Sequence, residues 1–400
     1  MTIATPSTQV ASKSATAAPT RVDAVRRIAK EIARPNAADV DHKARFPVET
    51  IQALKEQKLM SALVPSDLGG AALGFGEVAT ICEVLATGCA SAAMVFAMHQ
   101  IQIACIARHG RSAPGLCQYL REVVEKQYVV ASVTSEVGVG GEMRNSVAAV
   151  SREGGRYAVN KDATTISYCE HADDLLLTAR RAPEAPPNDQ VLVLLKKGDY
   201  RVEKTGNWDT LGMRGTCSPS FKVFAQGPED HVLPAPFADI ASHTMVPVSH
   251  VLWASVWLGI ASSAVSTARA FVRQQARAKP GTVPPTAVRL AEVSSLLQTM
   301  RTNVHDVVSE AEDLMTHGGS DALSSISFAL KMNNLKVAAS QLVVQVVNQT
   351  LLICGIMGYK NDSPFALGRH LRDAHSAALM VGNDRILATN ASLLLVLKDD

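Results

Sequence analysis

The sequence predicts a mainly helical protein in which a small β-domain separates an N-terminal helical domain from a C-terminal four-helix bundle. Two observations predict this order. Apolar residues recur at the helical spacing up to residue 127 and again after residue 235. Between these points the chain has short, often β-branched runs separated by Gly, Asn and Pro, which is typical of strands and turns. A length of 400 residues is enough for two or three domains with substantial cores.

These changes of period divide the chain into four parts. Residues 1–20 are rich in Ala, Ser and Thr and lack the apolar run of a secretory signal, so we expect a disordered tail. Residues 21–127 form the N-terminal helical domain, and residues 128–235 form the β-domain. Residues 236–400 form the bundle, where surplus apolar surface would indicate oligomerisation.

The elements follow from the same patterns. Five helices are predicted in the N-terminal domain, at residues 22–33, 48–57, 75–86, 90–109 and 114–126. Six strands are predicted in the β-domain, at residues 128–134, 146–151, 156–160, 174–178, 191–195 and 221–224. Four long helices are predicted in the bundle, at residues 250–276, 286–316, 321–354 and 376–397.

Composition argues against several classes of function. The formal net charge is +2, which gives no reason to expect a nucleic acid or a membrane surface as partner. The seven cysteines are irregularly spaced, with no CxxC pair and no His at metal-ligand spacing, so we expect reduced thiols in a cytoplasmic protein without a metal site. Polar residues interrupt the longest apolar stretches, near residues 246–265 and 342–357. We therefore expect that no apolar run reaches transmembrane length and that the chain has no membrane span.

A glycine-rich loop follows the first predicted strand. Residues 131–142 read ASVTSEVGVGGE, so a serine hydroxyl and glycine amides meet at a strand end. Such groups can hydrogen-bond the pyrimidine edge of a flavin, although a plain β-hairpin loop has the same composition. The loop resembles the flavin-binding loop of the acyl-CoA dehydrogenase superfamily, commonly L-T-E-P-x-x-G-S-D. Ser135, Glu136, Gly140 and Glu142 match its Thr, Glu, Gly and Asp.

Three further segments carry the same resemblance. Residues 46–76 resemble the opening helices of the superfamily, with its V-P-x-x-x-G-G turn. Residues 209–218, DTLGMRGTCS, resemble its G-M-R-G-T-x-S segment, and residues 355–385 resemble its G-x-x-G-Y…R-x-x-R-D segment. The sequence is identified as a member of this superfamily over residues 40–400, which implies an acyl-CoA dehydrogenase-like fold.

The resemblance implies a flavin, usually FAD, bound between the β-domain and the bundle, often in a homotetramer; a dimer is the other oligomer that we consider. It places Thr165 and Ser167 on the strand that faces the flavin, with Thr165 where the family usually has Trp. Those hydroxyl residues could equally form an exposed strand edge. Gly141 joins Ser135 and Gly140 as a cofactor contact.

Other positions are assigned through the same segments. Met213 and Arg214 belong to the segment that borders the acyl substrate. Near the end of the chain, Val381 is a substrate contact, and Gly382 and Asn383 form a small-residue break where the backbone can approach a flat ligand.

The sequence departs from the family at the catalytic base. Removing an α-proton from an acyl thioester needs a carboxylate or similar group within hydrogen-bond reach. The usual Glu of the E-G-T step is replaced by Val381. A second branch of the family has its Glu at the start of the first bundle helix, where this chain has Ser249, with His250 at the usual Arg position. Both base positions therefore lack a carboxylate.

Contacts to the far end of the cofactor are also altered. The family's R-x-x-F-G segment, whose Arg reaches a flavin pyrophosphate across a subunit interface, falls near Gln275, where Arg273 and Arg277 could substitute. The adenine-side Gln falls at Leu352. FAD is the expected cofactor, and FMN or FADH2 supplied by a reductase is the alternative.

Three histidines are candidates for the missing base: His99, His250 and His375. Each could instead be a packing or capping residue. We interpret Glu136 as a structural acceptor of its loop, and Arg372 with Asp373 as a structural ion pair.

Two functions fit these residues. The first is α,β-dehydrogenation of an acyl thioester on CoA or a carrier protein, with electrons passed to an acceptor. The alternative is a two-component flavin-dependent monooxygenase, which shares this fold, takes reduced flavin from a separate reductase and needs no α-proton base. A catalytically degenerate member acting in a hetero-oligomer is a third possibility.

Overall fold

A computed structural model of the protein describes residues 20–397. The predicted disordered tail, except for Thr20, lies outside the described residues. Thr20 caps the first helix through reciprocal hydrogen bonds with Asp23, a capping box that fixes where the helix begins.

Six α-helices precede the β region. They are α1 (Arg21–Ile28), α2 (Arg34–His42), α3 (Val48–Glu56), α4 (Phe75–Ala86), α5 (Ala90–His109) and α6 (Pro114–Lys126). The bounds predicted for α4, α5 and α6 are confirmed. The first predicted helix ends too early, because a π-helical turn, Ala29–Ala33, continues α1 into α2 and accommodates Pro35.

Helix α5 is the centre of this part of the molecule. Every residue from Ala90 to Ala107 is buried. The helix packs against α4, against the first strand of the β region and against the first long helix of the bundle. Polar side chains on α5 therefore have to find partners inside the protein.

The β region contains two sheets. Their strands are β1 (Val130–Val133), β2 (Ser151–Glu153), β3 (Arg156–Ala163), β4 (Asp174–Arg180), β5 (Gln190–Leu195), β6 (Tyr200–Lys204) and β7 (Phe221–Pro228). One sheet has the order β1-β4-β5, with β1 parallel to β4, and the other has the antiparallel order β2-β3-β7-β6. Strand β6 was not predicted. The strand predicted at 146–151 is wrong except for Ser151.

The C-terminal region consists of helices. They are α7 (Phe237–Ile240), α8 (Val246–Ala278), α9 (Thr286–His317), α10 (Ser320–Leu323), α11 (Ile326–Cys354), α12 (Ile356–Tyr359), α13 (Gly368–His375) and α14 (Asn383–Leu394). A π-helical turn, Ala241–Met245, joins α7 to α8. Helix α8 packs against α11, α9, α4 and α5, so it links the bundle to the N-terminal helices.

The fourth predicted long helix, at 376–397, is wrong in its first part. Residues 376–382 form a series of turns, here called the 376–382 turn, and α14 begins only at Asn383. Val381 has a φ of 56°, in the left-handed region that β-branched residues rarely adopt. The predicted helix is therefore interrupted at Val381, the residue that the resemblance places at the family's usual base position.

Three helical segments are long and apolar enough to cross a membrane, judged by length and composition only. The expectation that no apolar run reaches this length is therefore wrong. Each segment has its own most apolar window of 18 residues. The share of that window that is buried is 94% in α5, 72% in residues 237–278 and 44% in α11. Other parts of the protein cover the first two, whereas more than half of the window in α11 is not buried.

Candidate active site

The loop after β1 is anchored by Glu136. Its carboxylate accepts hydrogen bonds from the Ser146 hydroxyl at 2.7 Å and from the amide of Ala148 at 2.6 Å, and it lies 3.5 Å from the ammonium of Lys161. The amide of Val147 also donates to it, at 3.1 Å. These bonds take amides that a strand ladder would have used, which explains the missing strand at 146–151. The structural role predicted for Glu136 agrees with this geometry.

The glycines of the loop have the backbone that a close ligand contact requires. Gly138, Gly140 and Gly141 have φ values of 91°, 57° and 76°. Among the described residues, their amides donate no hydrogen bond. A side chain on Gly140 would meet open space, whereas one on Gly141 would meet the guanidinium of Arg385. Arg385 also donates to the carbonyl of Gly140, so the start of α14 touches the loop.

Ser135 and Thr165 are brought together, as the predicted cofactor site requires. The Ser135 hydroxyl donates to the Thr165 carbonyl at 2.7 Å and accepts from the Thr165 amide at 3.0 Å. Thr165 is exposed. Ser167 accepts a hydrogen bond from the buried hydroxyl of Ser218 at 2.9 Å. Thr165 and Ser167 lie in the segment after β3, which ends at Ala163, so the prediction that they lie on a strand is wrong.

Met213 joins the β region to the bundle. Its amide donates to the carboxylate of Asp373 at 2.7 Å, and its side chain is buried. Burial raises the pKa of Asp373 to about 6, although the Met213 amide opposes the rise. The predicted Arg372–Asp373 ion pair is wrong, because Arg372 pairs with Asp41 at the end of α2.

Arg214, the other residue predicted beside the substrate, is engaged by protein groups. Its guanidinium donates to the carbonyl of Asp41 at 2.9 Å and to the carbonyl of Thr210 at 2.7 Å, and it pairs with Asp209 at 3.0 Å. In this structure Arg214 holds the N-terminal helices against the β region.

His99 is a structural residue, so the prediction that it is a candidate catalytic base is wrong. It is fully buried, its Nε2 contacts the Met60 carbonyl at 2.7 Å and its Nδ1 accepts from the Val130 amide at 3.0 Å. Burial lowers its pKa to about 4. Both ring nitrogens are occupied by backbone, so neither can reach a substrate proton.

His250 and His375 lie in different environments. His250 is buried between α8 and α11, with Nδ1 3.1 Å from the carbonyl of Met332, and burial with the nearby charge of Lys336 lowers its pKa to about 4. An enclosed imidazole in this position is a packing residue rather than a base. His375 is exposed at the end of α13. The three histidines do not form one cluster.

Lys336, which sequence reasoning missed, contacts Val381, the residue predicted at the family's usual base position. Ser249 donates to the carbonyl of Val246 in its own helix at 2.8 Å, and the side chain of Val381 is 46% exposed. The Lys336 ammonium donates to the carbonyl of Val381 at 2.6 Å. The sequence feature that could have identified Lys336 is a lysine within an apolar stretch of the predicted third bundle helix.

Asn383 and Gly382 complete this part of the site. The Asn383 side chain accepts from Lys336 at 2.7 Å and donates to the Ser340 hydroxyl at 3.0 Å, so it fixes the turn rather than facing outward. Gly382 caps α14. Arg273 is exposed on α8, roughly 35 Å along the helix from His250 at 1.5 Å per residue. The role predicted for Arg273 needs a second subunit.

Two cavities open in another part of the described chain. Cavities of about 410 and 470 Å³ open on the β region, the first between Glu136 and Asp162 and the second between Arg156 and Gln226. Neither is lined by Thr165, Val381 or Lys336 in the described chain. No group of three potential metal ligands was found among residues 20–397. The arrangement of polar groups, rather than cavity size, defines the candidate site.

Comparisons with known proteins agree on one family. Profiles of the acyl-CoA dehydrogenase N-terminal and C-terminal domains match residues 20–114 and 251–385. Cyclohex-1-ene-1-carbonyl-CoA dehydrogenase of Geobacter metallireducens is 24% identical over 93% of this chain and 97% of its own. Amino sugar nitrososynthase DnmZ of Streptomyces peucetius is 24% identical over 86% of this chain and 84% of its own.

A solved structure has the same fold. FMN-bound TdsC from Paenibacillus sp. A11-2, a dibenzothiophene monooxygenase, superimposes with a TM-score of 0.82 at 19% identity. The match covers 94% of this chain and 96% of TdsC. Proteins with different reactions therefore share this architecture.

Proposed function

The chain belongs to the acyl-CoA dehydrogenase superfamily and is a flavin-dependent oxidoreductase, and within that family we propose that it is a monooxygenase supplied with reduced flavin by a separate reductase. One observation carries this proposal. The turn at the usual base position presents Val381 and is held by the ammonium of Lys336, so the site has a cation where α-proton removal needs a carboxylate.

The residues present fit a flavin. The unengaged amides of Gly138, Gly140 and Gly141, with the hydroxyls of Ser135 and Thr165, would hold its polar edges. A bound flavin supplies two-electron transfer and reaction with oxygen. In the proposed reaction one oxygen atom of O2 enters the substrate and the other leaves as water. A bound reduced flavin would supply the two electrons that this reaction needs.

The choice between FMN and FAD depends on the adenine end of the predicted flavin site. Leu352, at the family's adenine-side position, is 66% exposed and cannot make the hydrogen bonds of the Gln it replaces. We propose that FMN is sufficient and that FAD, the family's usual cofactor, gains little from its adenine. The measurement is the dissociation constant of each flavin by fluorescence quenching, with equal constants expected.

The second candidate is α,β-dehydrogenation of an acyl thioester. It is favoured by the G-M-R-G-T segment at Met213 and Arg214 and by the activity named for the Geobacter relative. It would need a base from outside the two vacated positions. Of the three histidines considered, only His375 is exposed enough to serve.

A spectrum of the purified protein separates the two candidates. The monooxygenase proposal predicts a protein that purifies nearly colourless, binds added reduced FMN and consumes oxygen with substrate only when a flavin reductase and NADH are present. A copurified flavin that bleaches anaerobically on addition of straight-chain or cyclic acyl-CoA thioesters would establish the dehydrogenase instead.

We also propose a homo-oligomer, either a dimer or a tetramer. Large apolar side chains remain exposed near the end of α11, on α12 and near the C-terminus: Leu352, Ile356, Tyr359, Leu379 and Leu395. Light scattering of the full chain tests this, since a monomer at micromolar concentration would contradict it. We propose a cytoplasmic location, because the free thiols of all seven cysteines fit a reducing compartment.

A further inference from the structure

Lys336 on α11 is a buried lysine held by neutral groups. Its exposed fraction is 0%. The ammonium donates to the carbonyl of Val381 at 2.6 Å and to the side-chain oxygen of Asn383 at 2.7 Å. Val381 lies in the connection between α13 and α14, and Asn383 is the first residue of α14, so one side chain holds the end of that connection against α11.

The charge of Lys336 has no opposite charge beside it. In the described part of the chain no carboxylate pairs with its ammonium, and burial lowers its pKa to about 8. The face of the Trp257 ring lies 5.8 Å from its Nζ. His250 is bonded to Met332, one helical turn before Lys336, and is kept neutral. A buried cation without a counter-ion is costly, and an incoming anion would relieve that cost.

Lys336 lies next to the part of the fold where the catalytic base is predicted. Val381 occupies the family's usual base position, and Ser249, at the other base position, precedes His250 on α8. Val381 is held in a left-handed conformation that costs energy in a β-branched residue, and strain of this kind persists where neighbouring bonds enforce it. Here the bond from Lys336 to the Val381 carbonyl enforces it.

We propose that Lys336 is a positioning residue that makes this site selective for a substrate with an anionic oxygen, such as a carboxylate or a phenolate, facing the 376–382 turn. The inference deepens the proposed function and rests on its location of the site. A negative group on the substrate would approach the turn and be attracted by the ammonium beneath it. A neutral substrate of the same shape gains nothing from that charge.

A matched pair of probes tests the charge preference without any flavin. Benzoate and benzamide have nearly the same shape and differ in charge. Trp257 lies beside Lys336, and Trp253 lies 6.2 Å from His250, so intrinsic tryptophan fluorescence of the flavin-free protein reports binding there. We expect the wild-type protein to bind benzoate about tenfold more tightly than benzamide.

Substitutions of Lys336 test whether its side chain causes the preference for benzoate over benzamide. Lys336→Met should abolish it and Lys336→Arg should retain part of it. The control Lys331→Met, on the same helix but with a half-exposed ammonium paired to Glu310, should leave it unchanged. Absence of any benzoate response in the wild-type protein, equal affinities for the two probes, or an unchanged preference in Lys336→Met would overturn the proposal.

A second variant does not depend on the folding of Lys336→Met. Val381→Glu adds a carboxylate on an exposed turn beside Lys336, so it should remove the benzoate preference by occupying the ammonium. Val381→Gln, equal in size and neutral, should keep it. A preference that survives in Val381→Glu contradicts the proposal. Because these titrations use no oxygen and no flavin, they stand or fall separately from the monooxygenase assignment.

Discussion

Among the described residues two lysines are buried, Lys161 in the β region and Lys336 in the bundle, and they differ in what surrounds them. Burial lowers the pKa of each to about 8. Lys161 lies 3.5 Å from Glu136 and donates to the Thr178 carbonyl at 2.7 Å, so its charge is balanced within the fold. Lys336 has only neutral acceptors. Burial alone therefore does not distinguish the two lysines, whereas the presence or absence of a counter-ion does.

The largest expected effect comes from removing each ammonium in turn. Lys161→Met leaves the Glu136 carboxylate buried without its cation, and we expect a loss of about 3–5 kcal/mol in the free energy of unfolding. Lys336→Met removes the cost of an unpaired buried charge but also two hydrogen bonds, and because these effects oppose each other the expected change is within about 1 kcal/mol of zero. Urea denaturation at pH 7 measures both, and equal losses would remove the distinction between the two lysines.

The pH dependence of stability gives a second test of the difference between Lys336 and Lys161. Lys336 has a pKa of about 8 in the folded protein and 10.5 as an ordinary lysine. Between these values the unfolded chain holds a proton that the folded protein lacks, so raising the pH favours folding. Below pH 8 the cost of the buried charge is fully present. Relative to Lys336→Met, the wild type should gain about 1–3 kcal/mol from pH 8 to pH 10.5.

Unfolding curves of both proteins at several pH values check this expectation. Lys161 and the surface groups are common to the two proteins and cancel in the difference. A difference that stays flat across this range would mean that the folded pKa of Lys336 is not lowered.

The smallest expected effect concerns the turn that Lys336 holds. Val381→Gly removes a β-branched side chain from a left-handed conformation and should stabilise the protein by about 1 kcal/mol. Thermal unfolding measures it, with Val147→Gly as a control at another exposed valine that has no such φ. A destabilised Val381→Gly protein would show that the turn is not strained.

The sequence predicted those parts of the fold that depend on neighbouring residues. Helices α4, α5 and α6 were placed correctly because apolar spacing and Pro or Gly at their ends are local signals. The interruption of the last helix was missed, because SAALMVGN at residues 376–383 has helical composition. The turn is bonded to Lys336, which lies 45 residues before Val381, and such a long-range contact leaves no local pattern in the sequence.

The candidate site was also predicted only where its residues belong to a local sequence motif. Ser135 and Thr165 were identified by a motif, and the structure brings them together. The role of His99 could not be read from sequence, because its ring nitrogens bind backbone groups 39 and 31 residues away. Lys336 was overlooked because one polar residue hardly alters the period of a long apolar helix.

The bond between Lys336 and the Val381 carbonyl also constrains how this lineage can change. A single substitution of Val381 by Glu would recreate the family's base position in sequence. The new carboxylate would lie beside a buried ammonium, which lowers the pKa of a carboxyl group and makes it a poor proton acceptor. We therefore expect that Val381→Glu alone does not create an effective base for α-proton removal, and that a second substitution at Lys336 is needed.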